Sequence, residues 1–179
     1  NVAELTIDYR KSPIVDEHRV SVLHARIGND TDDESPTLSA YQQFGSAPHA
    51  GQLVGDGVAR VDGRDVRLGE ILDTRRHTLL LFDGRATTER GYERFRAIHA
   101  QIAAKYTERI DVHVVVAGES RPAGLDGVSV LLDPEGDLEL RFGAAAECLY
   151  LIRPDLYIAY RSQRADPEPL VEYPRSVFT

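Results

Sequence analysis

Cysteine is nearly absent from this sequence: Cys148 stands alone among 179 residues. A single thiol cannot close an intramolecular disulfide, so a reducing compartment, the cytoplasm, is expected. Long apolar runs are missing as well, and none approaches the length of a membrane span. No basic, apolar, cleavable leader opens the chain. Its first residue is Asn1 rather than Met, which suggests a processed or excised piece. Lysine is scarce, Lys11 and Lys105 being the only two, a bias we attribute to genome composition. Excess positive charge is lacking too: the net charge of −8 argues against a nucleic-acid surface.

What is present is ordinary for a globular domain, with 42% hydrophobic and 28% charged residues. The length suffices for one domain with a real core plus extra arms. Residues 1–45 do not read as a compact unit. LTIDYR (5–10) and VSVLHARIG (20–28) each suit a strand, and GNDTDDESPT (28–37) suits a solvated acidic loop. We therefore expect an N-terminal arm over 1–45, a folded domain over 46–163 and a tail over 164–179.

Within the domain, VRLGEILD (66–73) reads as a strand end running into a short helix. HTLLLFDG (77–84) is a buried strand closed by Asp-Gly. Tyr92, Phe95, Ile98, Ile102 and Tyr106 recur every three or four residues, which predicts a helix from about Thr88 to Tyr106 with Thr87 or Thr88 as its cap. DVHVVVAG (111–118) and VSVLLD (128–133) are further strands. DLELRFG (137–143) is a helical turn closed by Gly143. A strand–helix–strand unit implies a parallel pair with a right-handed crossover.

The stretch LYLIRPDLYIAYRSQ (149–163) places Arg153-Pro154-Asp155 between two apolar runs. Turn chemistry accounts for it better than a catalytic Arg–Asp pair does. Pro154 presets φ, and Asp155 can hold nearby backbone N–H groups. The two runs are then the strands of a β-hairpin. Leu156 is the exception, because Gly would be easier there if the turn ends with positive φ. A different turn type or mild strain is expected.

Other candidate sites fail on residue type or spacing. Asp30, Asp32, Asp33 and Glu34 lack the alternating ligands, central Gly and terminal Glu of a calcium loop. His18 and His24 fit no zinc spacing. GDGVAR (55–60) lacks the third Gly of a dinucleotide loop and follows no clear strand. No Ser-His-Asp or paired-Glu arrangement stands out, and His113 reads as a packed or edge residue. We therefore expect no catalytic, cofactor-binding or metal-binding residue.

The element order is that of the thioredoxin-like fold, an α/β class with a mixed central sheet flanked by helices, here with an extended N-terminal arm. LLDPEGDLELRFG followed by LYLIRPDLYIAYR also resembles the C-terminal domain of the FAD-dependent aromatic hydroxylases, which act on phenol, pentachlorophenol and aromatic polyketides. Asp133, Gly136, Phe142 and Gly143 match the first element of that family. Leu151, Arg153, Pro154, Asp155, Tyr157, Ala159 and Arg161 match the second. Leu156 replaces the usual Gly, and Tyr160 the usual Trp.

The resemblance implies a parent enzyme that uses FAD and NAD(P)H to hydroxylate an aromatic ring. Its flavin fingerprints would lie in upstream FAD-binding and substrate domains of the same chain. This piece would then be a non-catalytic accessory domain without a cofactor of its own, packing on those domains or contributing to a homodimer. Arg153 and Arg161 would be structural, pairing with Asp155 or with carboxylates of a neighbouring domain. A working thioredoxin carries Cys-x-x-Cys after its first strand. FDGRATTERG (82–91) has no cysteine there, and Cys148 reads as a buried small hydrophobe. The alternative is a stand-alone thioredoxin-like binding protein without redox cysteines, whose helix N-terminus beside Arg85 could attract an anion.

Overall fold

His77–Phe82 is the axis on which the rest is built: Thr78 to Phe82 are all buried, as a strand covered on both faces requires. The computed structural model describes residues 16–18, 38–85 and 89–163. In chain order these form β1 (Asp16–His18), α1 (Leu38–Ser46), β2 (Val58–Val61), β3 (Arg64–Arg67), α2 (Leu68–Ile71), β4 (His77–Phe82), α3 (Glu89–Tyr106), β5 (Ile110–Val116), β6 (Ser129–Leu132), α4 (Asp137–Phe142), β7 (Cys148–Ile152) and β8 (Ile158–Ser162). The strands make one sheet in the order β1-β8-β7-β4-β5-β6-β2-β3.

The expected crossover is present. β4 pairs parallel with β5 through α3, and β5 pairs parallel with β6. On the other side β7 runs antiparallel to β4, and β8 antiparallel to β7. Alternation along β4 then splits the core in two. Leu79 and Leu81 face α3 and pack with its Phe95, Ile98 and Ile102. Leu80 and Phe82 face the opposite layer, where Phe44 of α1, Leu68 of α2, and Leu138 and Phe142 of α4 meet Tyr150. Full burial of each large apolar side chain contributes about 1.5–3 kcal/mol, which is why the stripe on α3 holds the helix to the sheet.

Three features differ from the sequence reading. α1 spans the expected boundary at 45/46, and its Phe44 is core, with 2% exposure. β2 and β3 form a hairpin in which Val58 pairs with Arg67 and Val61 with Arg64. Asp62 and Gly63 turn it with φ of 49° and 76°, the two positive values of a tight hairpin turn. GDGVAR is thus the entry to β2. β1 adds a parallel edge, with Asp16 opposite Tyr160. The readings of LTIDYR, VSVLHARIG, the acidic loop, His24, the Thr87 or Thr88 cap and the 164–179 tail fall outside the described residues. No helix among the described residues is long and apolar enough to cross a membrane.

Candidate functional site

The Arg153-Pro154-Asp155 centre is a turn. The N–H of Leu156 donates to the Arg153 carbonyl at 2.9 Å, and that of Arg153 to the Tyr157 carbonyl at 2.8 Å. The Arg153 guanidinium donates to Asp155 Oδ2 at 2.6 Å, the pairing expected of it. Leu156 has φ 66°, so a branched side chain occupies a left-handed position at a cost of about 1–2 kcal/mol. It stays there because its side chain packs against the Phe44–Tyr150 core. Two opposed effects give a testable order. Leu156→Gly should change stability by less than about 1 kcal/mol, since relief of strain offsets lost packing. Leu156→Ala, which loses packing and keeps the strain, should cost about 1–2 kcal/mol in urea denaturation. Gly less stable than Ala would refute this account.

Arg161 stands on β8, past the turn. It lies opposite Tyr150 in the β7–β8 ladder and is fully buried. One guanidinium nitrogen, Nη1, donates to the carbonyls of Phe44 at 2.9 Å, Ala47 at 3.2 Å and Pro48 at 3.0 Å. The other, Nη2, lies 2.7 Å from His49 Nδ1. Arginine only donates, so that imidazole nitrogen is the acceptor. The guanidinium carbon sits 4.4 Å above the Phe44 ring. The C-terminal carbonyls of a helix carry partial negative charge and lack intrahelical donors. Arg161 supplies both needs at the end of α1.

The place where a thioredoxin carries its thiols is the C-terminal end of β4. Here it holds Asp83, buried at 6% exposure. Asp83 Oδ1 accepts the Ala117 N–H at 3.0 Å, and Oδ2 accepts the Tyr92 hydroxyl at 2.8 Å. Burial raises its carboxyl to about 6, against the downward pull of those hydrogen bonds. Two ion pairs flank it: Arg85 with Glu139 and Arg94 with Glu147, each at 2.7 Å. Beyond Asp83 the chain closes onto the segment before β7. The Arg85 N–H donates to the Ala145 carbonyl at 3.2 Å. A Cβ at Gly84 would come within 2.7 Å of the Ala146 carbonyl carbon, so only glycine fits that approach. Among the described residues, this end of the sheet is held by that backbone contact and the two ion pairs. The sequence reading missed Asp83, Tyr92 and both pairs; the Asp-Gly closing a buried strand was the available signal.

Cys148 faces Phe82 in the β4–β7 ladder and is 1% exposed. Burial pushes its thiol well above the ordinary value. A buried, protonated thiol is a poor nucleophile. Labelling by a disulfide reagent should therefore await unfolding, so that the rate in native buffer is at least about a thousandfold below that in denaturant.

At the opposite end of the sheet lies an open cleft of about 480 Å³. Ile110 and Val112 of β5 line it, with His99 and Thr107 at the α3 side. His113 Nδ1 is 2.8 Å from Ser129 Oγ, and burial lowers the His113 pKa. Arg76 donates to Asp111 at 2.9 Å and to the Thr107 carbonyl at 3.3 Å. His113 thus sits in an interior strand with a polar partner. No group of three or more metal-ligating side chains gathers among the described residues.

No family model and no curated protein matches the chain. Solved structures do. The flavin-dependent monooxygenase PieE, solved with FAD and substrate, is similar over 72% of this chain at 21% identity and a TM-score of 0.51. Aklavinone-11 hydroxylase, solved with FAD and aklavinone, is similar over 73% at 21% identity and a TM-score of 0.52. A thiol peroxidase from Chromobacterium violaceum is similar over 74% at 12% identity, with a TM-score of 0.60, and the match takes in 89% of its length. The chain spans about a fifth of the two flavin enzymes, 20% and 22%. These likenesses show the fold: the chain has the thioredoxin-like α/β fold.

Proposed function

We propose that this chain is the accessory, non-catalytic thioredoxin-like domain of an FAD- and NAD(P)H-dependent aromatic-ring monooxygenase of the cytoplasm. It packs on the FAD-binding and substrate domains of that enzyme or contributes to its dimer. The observation that carries the reading is the end of β4, where a buried Asp83 and the close approach of Gly84 to Ala146 stand in a segment, 82–91, that holds no cysteine. The hairpin residues Arg153, Pro154, Asp155 and Arg161 support it, together with the likeness to two solved flavin enzymes. In this reading those four residues shape the domain, and flavin chemistry belongs to the rest of the enzyme.

The test is the native polypeptide from its source cells. A chain several times longer than this one, yellow with bound flavin, is expected, while the isolated domain should not quench FAD fluorescence. A colourless native protein of this size would overturn the reading. It would favour a stand-alone thioredoxin-like binding protein without redox cysteines, a second reading that draws on the near full-length match to the thiol peroxidase.

A further inference from the structure

We propose that Asp62-Gly63, the turn between β2 and β3, is the site at which this chain isomerises to isoaspartate, and so the site on which an isoaspartate-repairing carboxyl methyltransferase acts. The sequence holds four Asp-Gly pairs, at 56–57, 62–63, 83–84 and 126–127, and no Asn-Gly. At such a pair the backbone nitrogen of the glycine attacks the aspartate Cγ. An N–Cγ bond forms, water leaves, and a five-membered succinimide closes. Water then adds at the α-carbonyl and breaks its bond to that nitrogen. The main chain now runs through Cγ, with mass and charge unchanged. Glycine favours the attack because no side chain shields its nitrogen, so local sequence makes the four sites near equals. The fold separates them.

The attack needs the aspartate to rotate out of its native conformation, so its rate follows local opening of the fold. Three sites are held against it. Asp56 accepts the Gly57 N–H at 2.9 Å and binds Arg67 at 2.9 Å, while Gly57 is buried, a Cβ there lying 2.5 Å from Leu138. Asp83 is buried with both oxygens bonded, and Gly84 is packed on Ala146. Asp126 and Gly127 are exposed, but the Val128 N–H closes their turn on the Leu125 carbonyl at 3.1 Å. Arg121 clamps the same turn by donating to the carbonyls of Leu125 and Val128.

Asp62-Gly63 has none of these restraints. Both residues are exposed, and no described residue bonds the Asp62 carboxylate. A Cβ built at Gly63 would meet nothing within 4 Å, so the glycine has room to move. Asp62 holds φ 49°, a left-handed conformation that a non-glycine residue leaves with relief of strain. β3 ends the sheet and pairs with β2 alone. Parting the Val61–Arg64 pair beside the turn uncovers only the half-buried Val61. This ageing belongs to the turn itself and is independent of the role proposed for the domain.

The experiment keeps the native chain at neutral pH and body temperature for several weeks, then cuts it with trypsin. Isoaspartate is counted by methyl transfer from labelled S-adenosylmethionine and located by peptide fragmentation. Cleavage after Arg60 and Arg64 isolates the site as VDGR. That peptide should carry about ten times more isoaspartate than any other Asp-Gly peptide. In guanidinium chloride, with the restraints of the fold removed, the four sites should isomerise at similar rates. Asp62→Asn, which suits the same tight turn, should deamidate there faster still. Asp62→Glu, whose longer side chain closes the ring poorly, should be silent at this position. The proposal is overturned if isoaspartate in the native chain spreads evenly over the four sites, gathers at another of them, or is absent from Asp62.

Discussion

Replacing Arg161 by methionine should cost about 4–5 kcal/mol of folding stability, a large part of what a domain of this size possesses. The side chain is fully buried and donates to three carbonyls at the end of α1. Methionine fills much of the volume and satisfies none of them, so the Ala47 and Pro48 carbonyls lose this donor and the Phe44 carbonyl keeps only its 3.3 Å bond from the Ala47 N–H. The cation over the Phe44 ring is lost with it, a contact worth about 1–2 kcal/mol away from water. Arg161→Lys keeps the charge, but one ammonium cannot reach the Phe44, Ala47 and Pro48 carbonyls and His49 Nδ1 with the geometry of a planar fork, and it should recover less than half of the loss. Arg153→Met is the control. Its pair with Asp155 sits on a turn where the two side chains are 19% and 47% exposed, and its loss should cost clearly less than that of Arg161. Urea denaturation of the three variants decides the matter. Similar midpoints for the Arg153 and Arg161 variants would mean that the buried node contributes little.

Asp83→Asn is expected to stabilise the domain at neutral pH, by up to about 3 kcal/mol, given a carboxyl raised from 3.8 to about 6. An acid whose folded pKa exceeds its unfolded one holds its proton more tightly when folded. Its contribution to stability is complete below about 4, falls as pH rises from about 4 to 6, and is absent above. Asparagine keeps an acceptor for the Ala117 N–H and can meet the Tyr92 hydroxyl with its amide, without a buried charge. The advantage of the variant should therefore be full at pH 7 to 8 and vanish near pH 4.

His77 works in the opposite sense. Burial, with Arg153 adding to it, lowers its pKa from 6.5 to about 4, so it supports the fold above about 6.5 and withdraws that support as pH falls toward 4. In the wild type the two effects oppose each other across one window. With Asp83 removed, the acid sensitivity due to His77 should stand exposed as a steeper loss of stability below pH 6. A stability difference that does not change between pH 4 and pH 8 would show that Asp83 titrates normally.

The parts of this fold visible in the sequence are those specified by local pattern. The stripe on α3, the buried run of β4, the Gly143 stop of α4 and the Pro154-Asp155 turn each carry their signal within a few residues. α1 does not: LSAYQQFGS is short and carries as many polar as apolar residues, and its end is completed by Arg161, 117 positions away from Phe44. β2 and β3 are four residues each and rich in arginine, so hydrophobic alternation is weak and only Asp62-Gly63 betrays the hairpin. At the candidate site the burial of Cys148 was legible because apolar neighbours surround it in sequence. The role of Arg161 was not, since a basic residue in a strand does not disclose that its acceptors are backbone carbonyls of a distant helix. Asp83 was hidden for a similar reason, because Asp-Gly after a strand reads as a turn.

The bond from Arg161 to the end of α1 also bears on the order of assembly. During synthesis α1 leaves the ribosome long before β8, the last described strand. Until β7 is made Phe44 lacks its covering Tyr150, and until β8 is made the carbonyls of Phe44, Ala47 and Pro48 have no guanidinium to cap them. The α1 segment must wait, and closing so long a loop is a slow step. A nascent chain halted before β8 should therefore hold α1 open to protease, and completion of the hairpin should protect it.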